Sequence, residues 1–502
     1  MTATLHISVC STKKVNTANC HPEFSNCHPE RSEGSPPMNI NKSILKLAIP
    51  SILANITVPL VGMVDIAIAG HLDSSAATMI GGIAIGSMLF DLLYWNFGFL
   101  RIGTGGLAAQ AYGRNDRREC ARILTRALGM SLAIALVLLA IQWIFVKAAF
   151  LVVDCTPQVR ELASQYFFIR IWAAPATLGL MALKGWFIGM QDSVSAMVAD
   201  VTVNGMNILM SFVLALGLTV GDNEIIHGMG FGGVAAGTVV AQWTGLAVSL
   251  LIVAFKYWKN TVSELDAEDV RGLFRGGETK RFFVMNANLF VRSLCFIAIY
   301  IGFTVISARY GDTLLAVSSI MMKLLMIFSY FTDGFAYAGE ALVGRYIGAK
   351  DRQMLGQSVK WTFIWSMGLA VLFMGVYHFA GVPMLQMMTS DATVIDAARA
   401  FLPWLLLMPP VGCAAFTWDG IFVGATSSKG LRDSMLWAVV AFAGVWGVGI
   451  LGLEWFVQKQ TVAPDRYDGL AMHILMAAYF AHLLARTVYL TAKARKSVFS
   501  AI

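Results

Sequence analysis

Between Lys42 and the C-terminus, long apolar stretches alternate with short polar breaks. A helix needs about 20 apolar residues to cross the hydrocarbon core of a bilayer. Runs of that length fall near 46–70, 77–112, 122–152, 159–190, 194–219 and 228–256. After a charged connector from Lys259 to Glu278, a second set falls near 280–308, 313–347, 355–380, 394–424, 431–457 and 469–492. The pattern predicts an all-α polytopic membrane protein of about twelve spans. Several runs exceed a straight crossing, so tilt, kinks or extension beyond the membrane is expected. Strands and β-barrels are excluded, because barrel strands alternate apolar and polar positions over about ten residues and these runs do not.

Composition agrees. Of 502 residues, 57% are hydrophobic and only 13% charged, with mean hydropathy +0.66. Soluble domains average about 45–50% apolar and about 25% charged, so a string of such domains could not hide this much apolar surface. Disorder is excluded by the same excess, and a disulfide scaffold by the sparseness of seven cysteines. The formal charge of +7 is read as basic cytoplasmic loops, not as nucleic-acid binding.

Lys and Arg positions set the orientation. Arg114, Arg117, Arg118 and Arg122 follow span 2, and Lys256, Lys259, Arg271, Arg275, Lys280 and Arg281 cluster about the connector. Lys350 and Arg352 follow span 8, Lys429 and Arg432 follow span 10, and Lys493, Arg495 and Lys496 close the chain. The opposite loops, His71 to Thr78 and Thr219 to Gly228, contain neither residue type. Both termini are therefore expected in the cytoplasm.

The leader before Met38 has no apolar run long enough for a signal core or a span. Its near-tandem Asn19-Cys20-His21-Pro22-Glu23 and Asn26-Cys27-His28-Pro29-Glu30 carry zinc-type ligands, but the spacing matches no common finger and prolines interrupt both units. The string looks like translated repetitive bacterial DNA, and Met38 is the expected start. The expected organisation is an extension over 1–41, a first lobe over 42–258, a connector over 259–279 and a second lobe over 280–502.

The halves resemble each other at a fixed offset of 235 residues. Gly185-Trp-Phe-Ile-Gly189 matches Gly420-Ile-Phe-Val-Gly424, Pro175 matches Pro410, and Gly113-Arg-Asn-Asp116 matches Gly348-Ala-Lys-Asp351. Six spans per repeat is even, so both halves enter the membrane the same way. They are expected to be related by an axis along the membrane normal, with a cavity between them, an arrangement that suits alternating access.

Charges within spans cost roughly 2.5–3.5 kcal/mol on insertion scales, so each needs a reason. Asp65 interrupts span 1, with Pro59 and Gly62 a turn earlier and no local cation. It is a candidate proton carrier, or else a hydrogen-bonded structural acid. Asp200, Asn204, Asn207 and Ser211 line one face of span 5, which Thr238 of span 6 can join. That stripe faces either a cavity or a partner helix. Lys184 and Asp200 each lie eight positions from Asp192, so a buried ion pair between spans 4 and 5 is expected. Asp333 and Glu340 share a face of span 8, and Asp419 lies in span 10. These acids either line the cavity or pair with Lys323, Arg345 or Lys429. The 26 Met and the aromatic residues are mostly packing, and no ATP-binding loop is present, so ATP does not drive the protein directly.

These residues resemble the MATE family (multidrug and toxic compound extrusion), in its DinF-like branch. The resemblance rests on Pro59 to Gly70, Asn96 to Gly113, Arg170 to Pro175, Gly185 to Gln191, Asp333 to Gly344 and Asp419 to Ala425, in order from about residue 42 to the end. It implies twelve helices in two six-helix lobes around a V-shaped cavity. It also implies efflux of organic compounds against inward H⁺ or Na⁺. The family's essential first-span Asp corresponds to Asp65. Its fifth-span Asn-x-x-x-Asp corresponds to Asn207 and Ser211, so the second carboxylate is missing and Asp200 is its nearest substitute. A second family cation site uses acids in spans 7 and 10. Asp419 resembles the latter, and span 7 offers no acid, which favours protons over sodium.

The expected function is a secondary antiporter of the bacterial inner membrane, exporting amphiphilic or cationic organic compounds in exchange for H⁺ or Na⁺. No other cofactor, catalytic residue, metal site or nucleic-acid partner is expected, and the chain is expected to act as a monomer. One alternative is a lipid-linked oligosaccharide flippase, which would favour a basic cavity. Another is a membrane-embedded transferase, which would need clustered acidic metal ligands.

Overall fold

The computed structural model describes residues 39–502, apart from 71–75, 152, 154, 221–222, 267–268, 270–271, 273–276, 461–462 and 464–465. The Cys-His repeats, the start at Met38 and the connector residues Arg271 and Arg275 lie outside the described residues. From Ile40 to Ile502 the chain forms one unit.

Twelve helical segments among the described residues are long and apolar enough to span a bilayer. The first six are Ile40–Asp65, Thr78–Gly113, Arg117–Ala149, Pro157–Gly189, Ser193–Leu216 and Phe231–Tyr257. The second six are Gly277–Tyr310, Asp312–Gly348, Arg352–Met388, Leu402–Gly424, Ser428–Gln458 and Tyr467–Phe499. Numbered in order, these are spans 1 to 12. Each uses its own backbone to satisfy the groups that lipid cannot.

Helix ends follow short-range chemistry. Asp116, Asp192 and Asp351 each cap a helix by accepting from the backbone N–H three residues on, at 2.9, 3.2 and 2.9 Å. Asp192 also accepts from Lys256 Nζ at 2.7 Å and the Tyr257 hydroxyl at 2.6 Å. Burial opposes its charge, but these bonds, with one from Ser195, outweigh it and hold the carboxyl below the usual range.

Helix continuity adds detail that the sequence reading did not give. Pro50 and Pro59 both lie inside one helix, Ile40–Gly70. Breaks occur in spans 2 and 4. Span 2 is interrupted by a turn at Asn96–Gly98, where the Asn96 amide bonds the Leu92 carbonyl at 2.6 Å. Span 4 passes through a 3-10 turn, Ile171–Ala173, and restarts with Pro175 in the first helical turn, where its missing N–H costs nothing. Span 10 starts at Leu402; the apolar stretch before it is a separate short helix, Ala392–Arg399. Strands are present after all, as a hairpin between spans 5 and 6. There β1 (Leu218–Val220) pairs antiparallel with β2 (Asn223–Ile226), after Gly217 ends span 5 at φ 85°.

The 235-residue repeat reappears in the backbone. Asn115 and Lys350 stand at φ 58° and 57°, and Gln191 and Thr426 at 63° and 53°. Each pair occupies matching turns in the two halves. A large apolar core runs through the first half and takes in second-half residues such as Phe282, Ile347, Leu355 and Val498 toward the end that carries Arg114, Arg117 and Arg352, hereafter the basic end. A second core, built from spans 7 to 12, fills the second half.

Candidate functional site

The first-half polar residues converge where span 1 packs against span 5, with span 6 behind it. Asp65 is 6% exposed. Its carboxylate faces Ser211, and Oδ1 has no partner. Asn207 donates to the Thr238 hydroxyl at 2.8 Å, and Asn204 donates to Thr57 of span 1. Ser211 donates to the Val234 carbonyl at 3.3 Å. The span 5 stripe is therefore tied to spans 1 and 6, and places Asp65 among neutral donors and acceptors. Lys184 and Asp200 form the ion pair that their spacing predicts, though each keeps a fifth to a quarter of its side-chain surface exposed and the pair is not fully buried.

The sequence reading gave no role to a further cation of this half. Arg170 stands at the end of the first segment of span 4, beside the 3-10 break. Its guanidinium donates to the Tyr166 hydroxyl at 3.0 Å and lies 4.8 Å from the Phe90 ring centroid. Asp65 and Asp91 of span 2 both lie within its electrostatic reach. Asp91 was also missed. Neither is adjacent to Asp65 in sequence, so only the fold brings them near.

The second half corrects the expected pairings. Glu340 is 1% exposed and pairs with Arg101 of span 2 at 3.4 Å, not with Lys323 or Arg345. Asp419 accepts from Arg292 of span 7 at 2.6 Å and from Arg486 of span 12, not from Lys429. Asp333 lies partly buried in the field of Arg101, Arg292 and Arg486. The acids expected to draw cations into a cavity are thus largely committed to arginines. A sodium ion at Asp419 would have two guanidinium groups as neighbours, an arrangement that opposes a cation. Arg101, Arg292 and Arg486 were visible inside predicted spans, and counting intramembrane bases as carefully as acids would have found them.

A scan against family models matches the MatE model twice, over residues 50–213 and 289–450, once in each half. The chain is 34% identical over 415 residues to the DNA damage-inducible protein F of Escherichia coli K12, covering 83% of this chain and 86% of that one. It is 22% identical to a probable multidrug resistance protein NorM of Photorhabdus laumondii, over 89% and 95% of the two chains. Among solved structures, a MOP superfamily transporter from Pyrococcus furiosus superposes with TM-score 0.73 at 16% identity, over 92% of this chain and 96% of that one. An outward-facing multidrug resistance MATE transporter gives TM-score 0.70 at 17% identity, over 92% and 97%. Those structures share the fold. The doubled family match and the extent of the Escherichia coli similarity go further: this chain belongs to the MATE family of multidrug and toxic compound efflux transporters.

Proposed function

We propose that the protein is a proton-coupled antiporter that exports amphiphilic or cationic organic compounds from the bacterial cytoplasm, with Asp65 as the coupling carboxylate. The observation that carries the reading is the contrast among the intramembrane acids. Asp200, Glu340 and Asp419 are each in an ion pair, whereas Asp65 is buried, faces the Ser211 hydroxyl and makes no ion pair among the described residues, with Arg170 acting on it only through its field. A buried carboxylate without an ion-pair partner is suited to taking up and releasing a proton. Coupling follows when protonation and substrate favour different conformations. The basic end then faces the cytoplasm, as Lys and Arg asymmetry dictates.

The flippase alternative loses the argument that the cavity candidates are mainly acidic or neutral, since arginines do occur within spans 2, 7 and 12. Three of them, Arg101, Arg292 and Arg486, are nevertheless already matched to Glu340 and Asp419, which leaves them poor receptors for a pyrophosphate. The test is efflux of a fluorescent organic cation from cells or inverted vesicles, wild type against Asp65→Asn, under a proton gradient without sodium. Gradient-dependent export that disappears in the variant is the expected result. Equal export by both proteins removes Asp65 from the mechanism.

A further inference from the structure

The two halves are joined across the basic half of the membrane by a layered set of contacts that the coupling site does not use. The innermost layer is charged. Arg101 of span 2 reaches Glu340 of span 8 at 3.4 Å and lies 4.3 Å from the Tyr337 ring centroid. Glu340 Oε1 has no hydrogen-bond partner and sits where a side chain on Gly105 would collide with it. Only glycine lets span 8 approach span 2 closely enough for the pair.

Nearer the basic end the contacts are hydrogen bonds donated by Gln110, Arg281 and Gln191. The Gln110 amide donates to the Gly424 carbonyl at 3.0 Å and the Thr426 hydroxyl at 3.2 Å. Arg281, at the start of span 7, donates to Gln110 Oε1 at 3.2 Å and to Thr426 at 3.0 Å. Gln191 donates to the Ala341 carbonyl at 2.7 Å. Outermost, Gly113 packs beneath the carbonyl of Arg345, and Gly348 beneath that of Gln110. This last layer is reciprocal under the repeat, as Gln191 and Thr426 also are.

We propose that these layers are the gate closing the transport path on the basic side, with Arg101–Glu340 as its inner charged lock and Gln110, Thr426, Arg281 and Gln191 as its outer latch. The inference rests on the antiporter reading and adds the residues that hold one of its two conformations. Rocking one half against the other must break every one of these bonds except Arg281–Thr426, which lies within the second half. Water entering from the basic side would replace the outer bonds at little net cost. It would also hydrate the Glu340 oxygen that is unpartnered when the gate is shut. A layered seal of this kind is a two-state element whose closed form is only modestly favoured, which a transport cycle requires.

The experiment measures the distance between spin labels on Arg114→Cys and Gln353→Cys, both exposed positions in opposite halves at the basic end, with native cysteines replaced. Wild type, Gln110→Ala, and the charge-neutral double variant Arg101→Gln with Glu340→Gln are compared between pH 5 and 8. The expected result is a short and a long population in the wild type. The long-to-short ratio should rise about tenfold in either variant, the worth of one or two net hydrogen bonds. Should the double variant fail to fold, Gln110→Ala carries the test alone, because it leaves no buried charge unpaired. Two populations in the wild type with an unshifted ratio in Gln110→Ala would overturn the gate and leave the antiporter standing. A single distance in every protein at every pH would overturn both.

Discussion

Asp419→Asn separates a structural acid from a coupling acid. Arg486 is 1% exposed, and the side chains of Arg292 and Asp419 keep 17% and 14% of their surface. Neutralising Asp419 leaves two guanidinium groups in the membrane sharing one amide oxygen. Breaking a buried pair in this way costs about 3–5 kcal/mol, because a charge is left uncompensated. The residual exposure places the expectation at the lower end, near 3 kcal/mol. In a unit of this size a kcal/mol moves the melting temperature by roughly 1 °C, so the variant should melt about 3 °C below the wild type. The assay is thermal unfolding of purified protein in detergent, followed by tryptophan fluorescence. A triple variant with methionine at 292, 419 and 486 should recover most of the loss, since replacing the whole ionic group removes its desolvation cost as well. Per folded molecule, Asp419→Asn should still export against a proton gradient. Unchanged melting combined with lost coupling would refute the reasoning and make Asp419 a coupling carboxylate.

Two further expectations follow from the same geometry. Reversing Lys184 or Asp200 singly should lower the folded yield, and exchanging the two charges should restore it; a double variant no better than the singles would show that the ion pair does not hold spans 4 and 5 together. Asp269 of the connector is held below the ordinary carboxylate range by hydrogen bonds from Arg118 and Arg122 of span 3. A depressed pKa stabilises the folded form above the unfolded value, about 3.9, and that contribution is lost as pH falls below it. Protection against hydrogen exchange over the connector, relative to the intrinsic exchange rate at each pH, should therefore be constant from pH 7 to about 4 and fall below; a fall already at pH 6 would mean another group anchors the segment.

Much of the architecture was legible because each signal was local. Runs of apolar residues define spans, Lys and Arg mark one end, and the offset between Gly113-Arg-Asn-Asp116 and Gly348-Ala-Lys-Asp351 survives as matching left-handed turns at Asn115 and Lys350. Helix continuity was less legible. Pro59 lies inside a continuous helix, whereas Asn96–Gly98 and Ile171–Ala173 break spans whose hydropathy is unremarkable. The hairpin at 218–226 was invisible to a search tuned to membrane-length patterns.

The site was legible wherever partners lie within one hairpin. Lys184 and Asp200 are joined by a tight turn, so counting from Asp192 sufficed. Glu340 and Arg101 are 239 positions apart, and Asp419 and Arg292 are 127 apart; no periodicity relates such residues. Treating acids as isolated charges made Glu340 and Asp419 look like cation attractors. With their arginines in place, the charge pattern sorts by role. Paired acids tie spans and halves together, whereas Asp65, 6% exposed, makes no ion pair among the described residues. On the proposed reading, these surroundings as well as its place in span 1 favour it as the coupling carboxylate. For the same reason the carboxylate absent at Ser211 need not be replaced by Asp200: Asp200 already has Lys184, and the Ser211 hydroxyl can donate to an ionised Asp65 and accept from a protonated one.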